Sequence, residues 1–401
     1  MTFDFTSLID RRQDHSAKWD VLPGELPMWV ADMDFATAPA IRAAIEHCAA
    51  KPIFGYVHVP DSFANAISRW WGRRHGWVID PAAISFCAGV VPAISSLVRT
   101  FAPIGSKVLL QTPVYNCFFT SVVNSERQVL ANELLYDAGV YRIDWDDLEA
   151  KLSAKDVSLM ILCNPQNPTG NVWTADELSR IAALACANDV VVVSDEIHCD
   201  LTLPGVAYTP FAQASPAGAD CSITLVAPTK AFNIAGIQSS AVIAPSPRLR
   251  TLAGDGLNRD ELQEANFFAI DATLAAFNQS EDWLEELREQ LAINWSQLED
   301  FLAASLPTLR LVAGQATYLP WVDCRAICDD SAELTDFIRQ ETGLFINPGT
   351  IYGSAGECFV RINIACPPAQ LADGLTRLAR GVELWLARGS NQALTCGNAD
   401  N

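Results

Sequence analysis

Up to Asn278 the apolar positions fall in a repeating order: a short β-rich run, a turn, an amphipathic stretch, then another β-rich run. The segment "AISFCAGVVPAISSLVRTFAPIGSKVLLQTP" predicts a short strand to Cys87, a turn at Gly89, a helix to about Phe101 and a strand from Lys107. "DVSLMILCNPQNPTGNVWTADELSRIAALACANDVVVVSDEIH" repeats the order. There Thr174 and Glu177 stand in T-x-x-E spacing, a capping box that opens an amphipathic helix, with Asn188 near its end. Val190 to Val193 is β-branched and too apolar for an edge strand. A third strand is read in "SITLVAPTK", running to Lys230. Strands alternating with helices predict an α/β fold with a mainly parallel sheet covered on both faces. In such folds ligands bind beyond the carboxyl ends of the strands. Asn164–Gly170, Asp195 and Lys230 all fall there.

After Asn278 the period changes. Leu284, Leu287, Leu291, Trp295, Leu298 and Leu302 recur at three- and four-residue steps and predict one long amphipathic helix. Short strands in "LRLVAGQATYLPWVD" and "GECFVRINIACP", with a helix in "QLADGLTRLARGVELWLAR", predict a smaller α+β domain. The expected division is a large domain over residues 48–285 and a small one made from 1–47 and 286–390. The tail, 391–401, has no periodicity and is expected to be disordered.

Composition narrows the function classes. A formal net charge of -20 argues against a nucleic-acid partner, which would want a basic patch. No apolar run approaches the length that spans a bilayer. The twelve cysteines are scattered without a CxxC pair, and the start "MTFDFTSLIDRR" has no apolar leader. The expectation is reduced thiols in a cytoplasmic protein.

Lysine usage changes the picture further. Of six lysines, five (18, 51, 107, 151 and 155) sit in polar or turn-like surroundings and read as solvated surface groups. Lys230 instead follows an apolar run, with Asp220 the one charged residue within ten positions on either side. A desolvated lysine has a lowered pKa and becomes a nucleophile, although a lone lysine there also fits one that snorkels to the surface. Asp195 after "VVVVS" faces the same crevice, or caps a helix. Asn167 in "NPQNPTG" is an amide on a proline-stiffened loop, or an Asx turn. Tyr115 in "TPVYNCF" follows another strand, or fills the core. Together, each at a strand end, they describe one site.

"NPQNPTG", "SDEIHCDL" and "TKAFNIAG" in series resemble the fold-type I pyridoxal-phosphate enzymes of the aspartate-aminotransferase superfamily. Within it the chain is most similar to the MalY/PatB group of cystathionine β-lyases and C–S lyases, from "MWVADMDF" to "RINIACP". The resemblance implies a seven-stranded-type sheet sandwiched by helices and pyridoxal 5'-phosphate as cofactor. Lys230 would hold the cofactor covalently and move protons. Asp195 would pair with its ring nitrogen, Asn167 with its phenolic oxygen, and Tyr115 would stack on its face. Val90 and Val91 would offer backbone N–H groups to the phosphate, with the Thr229 hydroxyl. Arg361 in "FVRINIA" would clamp the substrate carboxylate. Tyr56 in "FGYVHVPD" matches a tyrosine that reaches the neighbouring subunit's phosphate, which implies a homodimer with shared sites. Tyr56 and Asn167 would also touch substrate.

Two positions bear on the reaction. Gln238 stands where many aminotransferases carry a phosphate-binding arginine, and His198 where they carry a tyrosine; both replacements look like the C–S lyase group. His198 is read as a cofactor neighbour or proton carrier, or else a packed structural histidine. The adjoining His-Cys pair has no metal-ligand spacing. Thr229 replaces a more usual serine, and "PGVAYTPF" lacks the histidine that relatives more often place before Pro-Phe. The implied activity is α,β-elimination from a sulfur amino acid, yielding homocysteine when the substrate is cystathionine, and so a place in methionine biosynthesis. An aminotransferase with the same cofactor is the alternative. A catalytically silent binding protein fits worse, since lysine, aspartate, asparagine and arginine are all present. A dinucleotide-binding dehydrogenase fits worst, for want of GxGxxG. Cystathionine, cystine and aryl cysteine conjugates all remain open as substrates.

Overall fold

A computed structural model describes residues 2–396. Its large sheet comprises β1 (Ile84–Cys87), β2 (Lys107–Thr112), β3 (Gln128–Glu133), β4 (Val157–Cys163), β5 (Val191–Asp195), β6 (Ser222–Val226) and β7 (Ser240–Ile243). The seven strands lie in the order β1-β7-β6-β5-β4-β2-β3. β7 runs against both its neighbours, and every other adjacent pair is parallel. Successive side chains of a strand point to opposite faces. Val191 and Val193 of β5 therefore join one core with Ile94 and Leu97 of helix α1 (Val90–Phe101). Val192 joins the other with Leu178 and Ile181 of α2 (Ala175–Ala187). The run of valines is a central strand because it must satisfy both layers. The expected capping box opens α2, with Thr174 and Glu177 bonded reciprocally.

The third strand is shorter than its apolar run. β6 ends at Val226, because Pro228 has no N–H for a ladder. Lys230 lies beyond it on a single helical turn, Pro228–Ala231. The next residue, Phe232, is fully buried and packs against Trp70, Phe277 and Trp283. Burying such a ring contributes about 1.5–3 kcal/mol, so the turn that carries Lys230 is anchored by an aromatic cluster of the core.

The predicted long helix is α3 (Glu281–Ser305), with Leu284 through Leu302 on its buried face. Beyond it β8 (Arg310–Leu311), β9 (Trp321–Asp323), β10 (Asn347–Pro348) and β11 (Phe359–Arg361) form a smaller antiparallel sheet in the order β8-β9-β11-β10. Helices α4 (Ser331–Thr342) and α5 (Pro368–Cys396) accompany it. α5 continues to Cys396, into the tail expected to be disordered. Gln392, Ala393 and Leu394 are good helix formers, with no proline to stop them. Residues 397–401 of that tail lie outside the described residues.

The N-terminal segment joins the far end of the chain: Leu26–Pro27 pairs in parallel with Leu344–Phe345. Here the reading of Lys18 as a surface group is corrected. Its side chain is 1% exposed and pairs at 2.8 Å with Asp34, equally buried. Trp19 Nε1 (2.8 Å), Gln370 Nε2 (2.7 Å) and Arg11 (3.0 Å) also donate to Asp34. Burial alone would raise the Asp34 pKa, but Lys18 and these donors hold it below the ordinary value. Removing one partner of a buried pair strands the other charge. Asp34→Ala should therefore lower stability by about 3–5 kcal/mol, read as the shift in a urea denaturation midpoint. A loss under about 1 kcal/mol would mean Lys18 escapes to water.

Candidate active site

The carboxyl ends of β1, β4, β5 and β6 surround a cavity of about 220 Å³. Val90, Val91, Tyr115, Asn167, Asp195, His198, Thr229 and Lys230 all line it, so eight of the ten residues singled out in the sequence meet at one place. Arg361 adjoins them, donating from Nη1 to Asn167 Oδ1 at 3.0 Å. Tyr56 does not join them. It is fully exposed, beside Gln263 and Glu264, where Val57 bridges Ala265.

Each group is placed by its local structure. α1 begins at Gly89 with no side-chain cap, so the N–H groups of its first turn face the cavity. Those groups have no partner within the helix and carry the positive end of its dipole. The Thr229 hydroxyl lies on the same wall. Asp195 closes β5, where Oδ1 accepts from Ile197 N at 3.1 Å. Burial pushes its carboxyl up to about 7, against the pull of that N–H and of Lys230. Lys230 is lowered to about 8 by burial and by the Arg361 charge, which outweigh Asp32 and Asp195. Its Nζ donates to the Ala31 carbonyl at 2.7 Å. His198 is driven down to about 3 by burial, with Lys230 and Arg361 adding to it, and stays neutral. Its Nδ1 is buried without a hydrogen-bond partner. Burial also raises the Tyr115 phenol well above its ordinary value, so it is un-ionised.

The arrangement suits an aromatic aldehyde bearing a phosphate. The uncapped helix start and the Thr229 hydroxyl supply anion donors. An amine, a buried carboxyl and a flat phenol surround the space between, and the orphaned His198 nitrogen awaits a polar partner. The model of the family "Aminotransferase class I and II" matches residues 28–378. The chain belongs to this family. It is similar to the cystathionine beta-lyase PatB of Bacillus subtilis, 41% identical over 94% of this chain and 98% of that one. It is also similar to Protein MalY of Escherichia coli, 34% identical over 95% and 99%. The crystal structure of cystalysin from Treponema denticola, which contains a pyridoxal 5'-phosphate cofactor, superposes with TM-score 0.91 at 32% identity, covering 96% of this chain and 99% of that one.

In this class I and II aminotransferase chain the sequence reading missed several neighbours. Ala31, Cys163, Ile197, Ala235, and Gln238 with Ser239 also line the cavity. Gln238 was noticed only as a replaced arginine; it adopts a left-handed φ of 52° at the cavity wall. The Ala31 carbonyl carries no side-chain signal and could be found only from the fold. Tyr208, in the stretch that departs from relatives, donates to Glu196, a buried carboxyl raised to about 7 by burial. Ser194 Oγ (2.7 Å) and Phe211 N (2.9 Å) satisfy the same carboxyl. His75, Cys199 and Asp200 bring ligand atoms within 4.8 Å of one another. Arg74 and Trp70 already donate to Asp200, so that group reads as an ion-pair network rather than a metal site.

The Lys230 shift has a measurable consequence. Folded and cofactor-free, the amine loses its proton near pH 8, against an ordinary value of 10.5. Between those values the unfolded chain binds the extra proton, so stability rises with pH across the window, by about 3 kcal/mol in all. Urea denaturation of the cofactor-free protein from pH 8 to 10.5 should show the rise, and Lys230→Met should abolish it.

Proposed function

We propose that the protein is a pyridoxal-phosphate-dependent carbon–sulfur β-lyase. Its substrate is an L-amino acid with a sulfur substituent on the β-carbon, and its products are a thiol, pyruvate and ammonia. The observation that carries this reading is one cavity holding a low-pKa amine, a buried carboxyl and an uncapped helix start. The sulfur chemistry is supported by the relatives named cystathionine beta-lyase and by Gln238 and His198.

Bound in this cavity, the cofactor supplies a conjugated ring that draws electrons from the substrate α-carbon. The chain's own groups do the rest. The N–H groups of Val90 and Val91 and the Thr229 hydroxyl would hold the phosphate, and Tyr115 would cover one ring face. Asn167, its Oδ1 engaged by Arg361, would have its Nδ2 free to donate to the phenolic oxygen. Asp195 holds a proton at the ring nitrogen; a cation there favours its ionised form against burial. Lys230, with its amine near pH 8, has an appreciable neutral fraction at physiological pH and takes the α-proton. His198 stays neutral and offers one N–H donor and one acceptor beside it. The thiolate then leaves from the β-carbon, and the three-carbon remainder hydrolyses to pyruvate and ammonia.

Arg361 accounts for the substrate's carboxylate. It is 3% exposed, its terminal nitrogens donate to two neutral carbonyl oxygens, Asn167 Oδ1 and Trp29 O, and its Nε has no partner. A buried cation without a counter-ion is costly, and a carboxylate ligand would relieve that cost. The domain division (1–47 and 286–390 against 48–285), a homodimer, a cytoplasmic setting and a role in methionine synthesis belong to the same proposal. The pairing of Leu26–Pro27 with Leu344–Phe345 supports the first. Exposed Ile53 and Phe54 beside Tyr56 offer an apolar face suited to a second copy, whose site Tyr56 would complete. Among the described residues, no helix is long and apolar enough to cross a membrane.

Pyruvate release from L-cystathionine, assayed on the holoenzyme with no keto acid added, tests the activity. Steady pyruvate with equal ammonia is expected. Lys230→Ala should abolish it, and Asp195→Ala should slow it about a hundredfold or more. Amino-group transfer to 2-oxoglutarate without pyruvate would make the protein an aminotransferase instead.

A further inference from the structure

The unpaired charge of Arg361 raises the question of what holds its guanidinium still. Asn167 Oδ1 (3.0 Å) and Trp29 O (2.9 Å) fix one donor on each of its terminal nitrogens. Arg361 Cζ lies over the ring of Tyr352, 5.0 Å from the centroid. We propose that Tyr352 is the positioning residue of the carboxylate clamp, steadying the Arg361 charge with its ring face while leaving the guanidinium edge open to substrate. The inference rests on Arg361 being that clamp.

An aromatic face suits this task better than an acid. Aspartate or glutamate would neutralise the guanidinium and compete with the incoming carboxylate for the same donors. The negative face of a ring attracts the cation without occupying any N–H. Tyr352 is also locked in place. It is fully buried, and its ring meets Trp321 edge-on at 5.3 Å and 85°. Trp321 in turn stacks on Phe359 at 5.2 Å and 2°. The Tyr352 hydroxyl accepts from Asn347 Nδ2 at 3.0 Å. The same nitrogen donates at 2.9 Å to Trp29 O, the carbonyl that Arg361 also uses. Asn347 is the register partner of Arg361 across β10 and β11, so the strand pairing sets this triangle.

Tyr352 also links the two halves of the site. Its carbonyl accepts from Val114 N at 3.0 Å, one residue before Tyr115. The loop that returns the ring over Arg361 closes through a glycine pair: a Cβ on Gly349 would lie 2.1 Å from Gly356 O, and one on Gly356 2.2 Å from Gly349 O. Only glycine permits that approach.

A residue that merely fills the core would affect every ligand alike. The test therefore compares L-alanine with ethylamine, which lacks the carboxylate. Both are titrated into the holoenzyme, and dissociation constants are read from the cofactor absorbance. Arg361→Leu should weaken L-alanine roughly a hundredfold and leave ethylamine unchanged. Tyr352→Leu should weaken L-alanine about tenfold with ethylamine again unchanged, and Tyr352→Phe, which keeps the ring, should bind both within about twofold of the parent. If Tyr352→Leu does not fold, Tyr352→Met takes its place, filling the volume without an aromatic face. Equal weakening of both ligands in the Leu or Met variant would overturn the proposal, as would Tyr352→Phe losing as much as Tyr352→Leu. If Arg361→Leu leaves the preference for L-alanine intact, the carboxylate reading of Arg361 itself falls.

Discussion

Two cations meet at this site, Arg361 buried and Lys230 half-buried, without a carboxylate bonded to either, and much of the structure around them follows from that. Desolvating a charge is costly, and without a counter-ion the cost is reduced by dipoles held in a fixed orientation. Besides the Asn167 amide, those dipoles come from residues 29–35, a backbone strap whose Ala31 lines the cavity. Trp29 O accepts from Arg361, Ala31 O from Lys230, and Val30 O and Asp32 O from Asn363. Asn233, at a left-handed φ of 54°, takes Met33 O and Phe35 O. Carbonyls can stabilise an ammonium without neutralising it. A carboxylate in the same place would have left no reason for an anionic ligand to bind.

The strap has to be anchored outside the site, and the Lys18–Asp34 pair provides the anchor. Asp34 sits at the strap's end with both oxygens engaged, by Lys18, Arg11, Trp19 and Gln370. Gln370 belongs to α5 and Lys18 to the N-terminal segment, so the strap is fixed to elements more than three hundred residues apart in the chain. The large sheet holds the other side. Asp195 closes β5, and Lys230 stands on the turn just past the end of the adjacent parallel strand β6, whose register pairs Leu225 with Asp195. The relative placement of amine and carboxyl is thus set by the ladder together with the short turn Pro228–Ala231 that follows it.

That difference explains what could be read from the sequence. Thr174, Glu177 and the valines of β5 declare themselves because their partners lie within a few residues or follow a period of two. Asp195, Asn167 and Lys230 are legible because parallel strands put their ends together wherever the helices between them go. Lys18 was misread: its partner Asp34 is sixteen positions away across irregular chain, and neither flanking composition nor period marks a buried pair. The Ala31 carbonyl has no side chain to give it away. Tyr352 looks like any loop tyrosine until β10 and β11 pair and bring its ring over Arg361. The end of β6 was overrun because the apolar run continues past Pro228, while its hydrogen bonding does not.

The protein's net charge sharpens the point about the two cations. At -20 the surface repels anions, yet the proposed cofactor carries a phosphate and the proposed substrate a carboxylate. Salt limits that repulsion to about 8 Å at physiological ionic strength, so it acts on approach and not inside the cavity. Selection for anions must then come from short-range groups that water cannot screen. In the proposed function the first-turn N–H groups of α1 would meet that need for the phosphate, and Arg361 would meet it for the carboxylate. Both are fixed before any ligand arrives, the helix by its packing on β4 and β5, and the guanidinium by Asn167, Trp29 and the ring of Tyr352. A preorganised donor loses little entropy on binding, which is how a strongly acidic chain can hold two anionic groups side by side.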